Sequence, residues 1–198
     1  MPERAEPGPP PVAEIRSCRL CAAHLPFGPK PIFQLDSRAR LLITSQAPGS
    51  KAHASGRPFD DPSGDRLREW LGIDRATFYD PSLIAILPTG MCYPGRLPKG
   101  GDAPPRPECA PQWHPRVLPT LAKVRLRLLV GGYAVRLVLG REVALEEAVR
   151  HAERYLPRHF PLPHPSWRTR LWVKRNPWFE SETLPRLRAR VAELLAQP

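Results

Sequence analysis

Four runs of aliphatic residues punctuate the chain, each closing on turn-forming types: "ARLLITSQ" (39–46), "SLIAILP" (82–88), "LRLLVGG" (126–132) and "RHFPLPHP" (158–165). Their Leu, Ile and Val positions run on rather than alternate with polar ones. That is the pattern of parallel strands covered on both faces. Helical spacing fills the gaps between them. Residues 62–72 carry Leu67, Trp70 and Leu71 on one face, and 112–123 and 133–154 read as helical less regularly. At the end, 180–196 aligns Leu184, Leu187, Val191, Leu194 and Leu195, with Arg186, Arg188 and Arg190 largely off that stripe. Strands alternating with helices predict an α/β fold with a doubly wound sheet.

Open parallel sheets bind ligands where loops leave the carboxyl ends of their strands. Three loops here are unusual for such positions. The first run breaks at Ala47-Pro48-Gly49 and spends about fifteen small, polar and turn-forming residues before a helix can start. Loops of that length are functional or disordered, and Phe59 with the paired Asp60-Asp61 argues against disorder. "LPTGMCYPG" follows the second run and "LPHPSW" the fourth. All three are expected on one rim, with the site among them.

Length and composition set the frame. At 198 residues, 41% of them hydrophobic, the chain has enough apolar material for one domain. The longest apolar runs are far short of a membrane span. "MPERAEPGPPPVAE" is charged and proline-rich, so residues 1–12 are expected to be a disordered leader before a single domain over 13–198, and the protein to be a cytoplasmic monomer. Thirty Lys and Arg oppose 19 acids, for a formal charge of +11 and a pI near 10.3. Only five of the thirty are Lys, and 28 residues are Pro, a usage that a GC-rich genome also produces. Codon bias accounts for Arg over Lys but not for bases over acids. The surplus points to a polyanionic partner, nucleic acid above all.

The four cysteines fall into two groups, Cys18 and Cys21 in "CRLC", then Cys92 and Cys109 around a Pro/Gly-rich stretch. A C-x₂-C knuckle lets two thiolates face one metal or cluster. Disulfides are the poorer reading in a cytoplasmic protein. Spacing alone leaves zinc and an iron–sulfur cluster both open.

These motifs together resemble the uracil-DNA glycosylase superfamily. "SQAPGSKAHASGRPFDDPSGD" is similar to its first motif and "LPHPSW" to its second, a His-Pro-Ser turn. The likeness is nearest the iron–sulfur branches, families four and five, which share a G-E-A-P-G or G-L-A-P-A opening, a downstream Gly-Arg-x-Phe and four cysteines in this arrangement. It runs from residue 18 to about 195. The resemblance implies a three-layer α/β/α sandwich with a four-stranded parallel sheet, a 4Fe-4S cluster and base-excision chemistry on DNA.

Residue by residue, the resemblance places Gln46, Ala47, Pro48 and Gly49 along the base pocket and at the attacking water, and Phe59 on the face of the flipped base. Asp61 matches the aspartate of the family-five "GDRSG" segment. His164 matches the histidine that bonds the base carbonyl as charge develops there, with Ser166 beside it in the turn. Trp167 and Arg168 stand where the family wedges the duplex. Cys18, Cys21, Cys92 and Cys109 match the cluster ligands. Two positions depart from the pattern: Gln46 replaces the family-four Glu, and Pro88 stands where an Asn reads the uracil edge.

The residue types suit the chemistry. Cleaving the bond to a base builds cationic character on the sugar and anionic character on the leaving base, once the base has left the stack. A π-face, a donor for the carbonyl and a carboxylate or polar group for cation and water are required, and Phe59, His164 and Asp61 with Gln46 supply them. Asp61 before Pro62 also reads as a helix N-cap. His53 stands in the same loop as a candidate contact to sugar or phosphate, with a solvated surface histidine as the plainer reading. "HPSWRTRLWVKRNPW" (164–178) interleaves Arg168, Arg170, Lys174 and Arg175 with Trp167, Trp172 and Trp178, as nucleic-acid surfaces do. Two functions follow: a glycosylase for uracil or a related deaminated base, or a protein that binds damaged or abasic DNA without turnover.

Overall fold

The four apolar runs become four strands, β1 (Leu41–Thr44), β2 (Ile84–Ile86), β3 (Leu126–Val130) and β4 (His159–Leu162), in a computed structural model that describes residues 8–196. Each is shorter than the run that predicted it, because the flanking residues of each run serve as connections. All pairings are parallel, in the order β2-β1-β3-β4, with Leu41 opposite both Ile84 and Leu126, and Leu128 opposite Phe160. Among the described residues the helices are α1 (Val12–Arg16), α2 (Ser50–Ser55), α3 (Pro62–Leu71), α4 (Arg75–Phe78), α5 (Cys109–Val117), α6 (Gly132–Leu139), α7 (Leu145–Arg150), α8 (Arg170–Arg175) and α9 (Leu184–Ala196).

Period-two strands send alternate side chains to opposite layers. Leu41, Ile43, Ile84, Ile86, Leu126 and Leu128 pack on Leu67, Trp70 and Leu71 of α3 and on Leu187, Val191 and Leu194 of α9. Leu42, Ala85 and Leu87 face the other way, onto Ile15 of α1 and Trp113 and Val117 of α5, while Leu129 meets Ala134 and Val135 of α6. Helices therefore cover both faces of the sheet, and the architecture is the expected α/β/α sandwich. No helix among the described residues is long and apolar enough to cross a membrane.

Helix boundaries depart from the sequence expectation in informative ways. The stretch 133–154 breaks at Gly140, whose φ of +118° ends α6 before α7 begins. The helix expected over 112–123 starts earlier, at Cys109, and gives way to a 3₁₀ turn at Leu118–Thr120 just past Pro115. A single π-type turn, Phe179–Thr183, leads into α9. Four short helices, α1, α2, α4 and α8, were not expected, since pieces of four to six residues are too short for a period to register. One of them, α2, lies inside the loop read as irregular. Residues 1–7 of the expected leader lie outside the described residues; helix starts at Val12, and Ile15 is fully buried.

Strand order reverses between β1 and β3, so their carboxyl ends diverge and open a crevice. The loops after β1 and β2 are laced together along its floor. Thr89 N donates to Ser45 O and Gly90 N to Gln46 O, each at 2.8 Å.

Candidate active site

The crevice widens into a cleft of about 720 Å³, walled by the loops that follow all four strands. Gln46, Ala47, Pro48 and Gly49 arrive from β1, Pro88 from β2, Tyr133 from just beyond β3, and His164, Ser166, Trp167 and Arg168 from β4. Phe59 and Asp61 close the wall at the start of α3. The structure thus brings together the residues that the first and second motifs suggested.

Local geometry holds each in place. Asp61 is extended and caps α3, accepting from Gly64 N through Oδ1 at 2.8 Å with Pro62 at the first helical position. Its other oxygen, Oδ2, faces Gly49, 4.0 Å from where a Cβ would stand. Capping leaves half of the carboxylate for the cleft. Phe59 sits at φ +55°, a left-handed conformation unusual for a bulky residue. Its ring packs edge-on against Phe78 at 6.1 Å, and the turn is possible only because Gly64 has no side chain: a Cβ there would lie 1.8 Å from Phe59 O. Asp60 turns away and pairs with Arg75 at 2.7 Å.

His164 rests on Gly131, where a Cβ would approach its own Cβ to 3.3 Å and where φ is +87°. Glycine is required there on both counts. The turn is fixed by Thr169 Oγ1, which donates to His164 O, and by Arg66 Nη1, which donates to Ser166 O at 3.2 Å. His164 keeps part of its surface open to the cleft, yet its ring lies deep enough that burial lowers its pKa, against the opposing charge of Asp61. The ring is neutral at pH 7. Trp167 is 72% exposed at the rim with the Arg168 guanidinium over its ring, 5.5 Å from the centroid. Arg170 lines the same rim, whereas Lys174 is exposed on α8 outside the cleft wall. Trp172 and Trp178 pack against the core. His53 is not in the cleft wall; its ring packs at a tilt against the stacked pair of Phe27 and Tyr93.

Pro88 has no side-chain donor, but its carbonyl is held. His114 Nε2 bonds Pro88 O at 3.0 Å, Arg127 Nη2 bonds His114 Nδ1 at 3.1 Å, and Arg127 Nε donates to Thr44 Oγ1 at 2.8 Å. With Arg127 as donor, Nδ1 must accept, so His114 is neutral and carries its proton on Nε2. Burial drives the His114 pKa down to about 4, and that of Arg127 to about 10. This chain of bonds fixes one wall of the cleft from within the sheet.

The four cysteines are free of disulfides and line one small apolar pocket with Ile15, Leu25, Met91 and Trp113. Cys18 follows α1 and Cys109 opens α5, with Met91 N donating to its sulfur at 3.4 Å. Burial raises the Cys92 thiol to about 11 and the Cys109 thiol to about 12, and the neighbouring thiols push the same way. No three His, Cys, Asp or Glu side chains among the described residues are gathered closely enough to hold a single metal ion. The thiols ring the pocket instead of meeting at a point.

Sequence reasoning missed several members of the cleft: Arg66, Arg96, Asp102 and Tyr133. Arg96 and Asp102 come from the Cys92–Cys109 stretch, which forms a small hairpin-like turn: Leu97 N donates to Gly101 O and Ala103 N to Gly95 O, each at 2.9 Å. The Gly100-Gly101 pair in "KGGD" was the available signal for such a turn. A family model described as the uracil DNA glycosylase superfamily matches residues 32–188, which takes in every strand and both motif loops. A four-stranded parallel sheet, a cleft at its switch point and this match agree, and the chain belongs to the uracil DNA glycosylase superfamily.

Proposed function

We propose that the protein is a monofunctional DNA glycosylase that hydrolyses the N-glycosidic bond of uracil or a related deaminated base. The observation that carries this is the gathering of Phe59, Asp61, His164 and Gln46 in one cleft at the sheet's switch point. A base turned out of the duplex stacks on Phe59. His164, neutral and rigidly seated, donates to the base carbonyl as the leaving group takes up negative charge, a preorganised stabilisation of a developing anion. Asp61 Oδ2 faces the cationic sugar, and Gln46 holds the attacking water. At the rim Trp167 enters the gap in the duplex, while Arg168 and Arg170 meet phosphates.

The cysteine pocket belongs to the same proposal. Four thiols ringing an apolar pocket suit a 4Fe-4S cluster held by Cys18, Cys21, Cys92 and Cys109. One zinc ion would draw its thiolates in to about 2.3 Å. No cysteine lines the cleft, so the cluster's place is structural: it would fasten the 92–109 segment to the end of α1.

The test is excision from labelled duplexes carrying U·G, U·A, hypoxanthine or xanthine, developed with alkali. His164→Ala should slow single-turnover excision by roughly 10² to 10³ with folding and DNA affinity kept. Tight binding to abasic duplex with no excision of any base would replace the enzyme by a damage-binding protein on the same fold, consistent with Gln46 and Pro88 at the two departing positions.

A further inference from the structure

The cleft contains a carboxylate that neither motif supplies. Asp102 stands on the returning arm of the turn between Cys92 and Cys109, opposite Arg96, and its Oδ2 lies 3.4 Å from where a Cβ of Gly49 would be, on the same backbone unit that Asp61 Oδ2 approaches to 4.0 Å. Two carboxylates from unconnected segments thus flank Gly49. Arg168 reaches over from the His-Pro-Ser loop to cover the tip: its terminal nitrogens lie 3.1 Å from the Cβ position of Gly101. That contact ties the turn to the wall bearing His164. Within the turn, Arg96 is bridged to Asp102 through the backbone.

Building on the glycosylase reading, we propose that Asp102 is a further catalytic residue, the general base that takes the proton of the attacking water. Gln46 and Asp61 share the same wall but suit other tasks. Gln46 is an amide without useful basicity, and Asp61 already gives one oxygen to Gly64 N. Asp102 caps no helix among the described residues, and beside the Tyr93 hydroxyl its carboxylate keeps room to accept from a water. In the step, the water oxygen bonds to C1′ while the C1′–N bond breaks and its electron pair leaves on the base. The water's proton passes to Asp102 and then to solvent, and the base anion, steadied by His164, is protonated after release. Atoms and charge balance without another reagent.

The surroundings support a basic carboxylate. Asp102 is an exposed residue by area, but its carboxyl is the part turned into the cleft. Burial raises its pKa; Arg96, Tyr93 and Arg168 pull it back, and the charge of Asp61 pushes it up. A carboxylate raised toward the working pH is a better base than an ordinary one.

Single-turnover excision by Asp102→Asn, measured from pH 4.5 to 8.5 against wild type, is the test. The variant should be slower by roughly 10² and should lose the acid limb of the pH–rate profile, while affinity for duplex with a neutral tetrahydrofuran abasic site stays within about twofold. An acid limb and rate left intact would overturn the assignment. Should wild type excise no base at all, the glycosylase reading falls, and Asp102 is decided by binding alone. Wild type would then have to prefer a cationic pyrrolidine abasic analogue over tetrahydrofuran, and Asp102→Asn would have to cut that preference by roughly tenfold, about 1.4 kcal/mol. An unchanged preference overturns the assignment there too.

Discussion

Asp61 holds two jobs on two oxygens, and three substitutions separate them. Oδ1 accepts from Gly64 N at 2.8 Å and caps α3; Oδ2 faces the cleft beside Gly49. Losing such a cap costs about 1 kcal/mol, which in a chain of this size lowers Tm by about 3 °C. Asn and Ser cap nearly as well as Asp, so Asp61→Asn and Asp61→Ser should melt within about 1 °C of wild type. Asp61→Ala should lose the full amount. The electrostatic part follows from Coulomb's law. A unit charge about 5 Å from a developing sugar cation, at an effective dielectric near 20, is worth about 3 kcal/mol, or roughly 10² in rate. All three variants lack that charge, and all three should lose excision to a similar extent. Differential scanning calorimetry paired with single-turnover excision on a U·G duplex reads both quantities on the same preparations. Full excision by Asp61→Asn would make the residue a cap alone. Equal melting of the Ala and Asn variants would remove the cap from the account.

Three further outcomes follow. The purified protein should carry about four iron atoms per chain with broad visible absorbance; chelation that strips the iron should loosen the 92–109 segment to proteolysis, and about one zinc with no iron would assign the pocket to zinc. Affinity for duplex DNA should fall steeply with salt, and Arg170→Ala should flatten the log–log slope by about 0.9, one phosphate contact, without changing base preference; an unchanged slope would take Arg170 off the DNA face. Unfolded His114 binds a proton near its ordinary pKa of 6.5 and the folded residue only near 4, so between those values the unfolded state holds more protons. Stability should be complete above pH 6.5 and fall by about 3 kcal/mol as pH drops to 4, read by urea unfolding, and an NMR titration of His114 centred near 6.5 in the native protein would refute the assignment.

Much of this fold was legible because its signals are local. Continuous Leu, Ile and Val runs marked three of the strands, Phe160 and Leu162 among prolines marked the fourth, and the loops that end them converge on one rim because parallel strands share a carboxyl edge. Asp61 before Pro62 announced its cap in two residues. What the sequence left unread depends on partners far along the chain. His114 lies in a stretch whose helical spacing is irregular, with nothing local to mark it, yet it is 6% exposed and bonds Pro88, 26 positions away, because Arg127 rises beneath it from the central strand. An arginine in an otherwise apolar run is that network's only trace in the sequence, and it does not say which residues it will reach. Phe59 shows the same limit. Its place in the cleft could be read by resemblance, but its left-handed backbone depends on a bare Cα at Gly64, five residues on.

Asp102 marks where the two kinds of information meet. In sequence the cysteines flanking it point to a metal or cluster, and the segment between them is only a Pro/Gly-rich stretch. The turn they bracket, however, projects Arg96 and Asp102 into the cleft, and Arg168 closes over its tip. An anchor at the base of a turn fixes the position of what its arms carry, since the bonds from Ala103 N to Gly95 O and from Leu97 N to Gly101 O leave Arg96 and Asp102 little freedom between them. The cysteine pocket and the cleft are therefore mechanically joined, although they share no lining residue. Loosening the pocket should move Asp102 away from Gly49 before it disturbs Phe59, Asp61 or His164, which hang from β1, α3 and β4. Damage to the cysteines should accordingly lower the rate of excision at saturating DNA more than it weakens DNA binding.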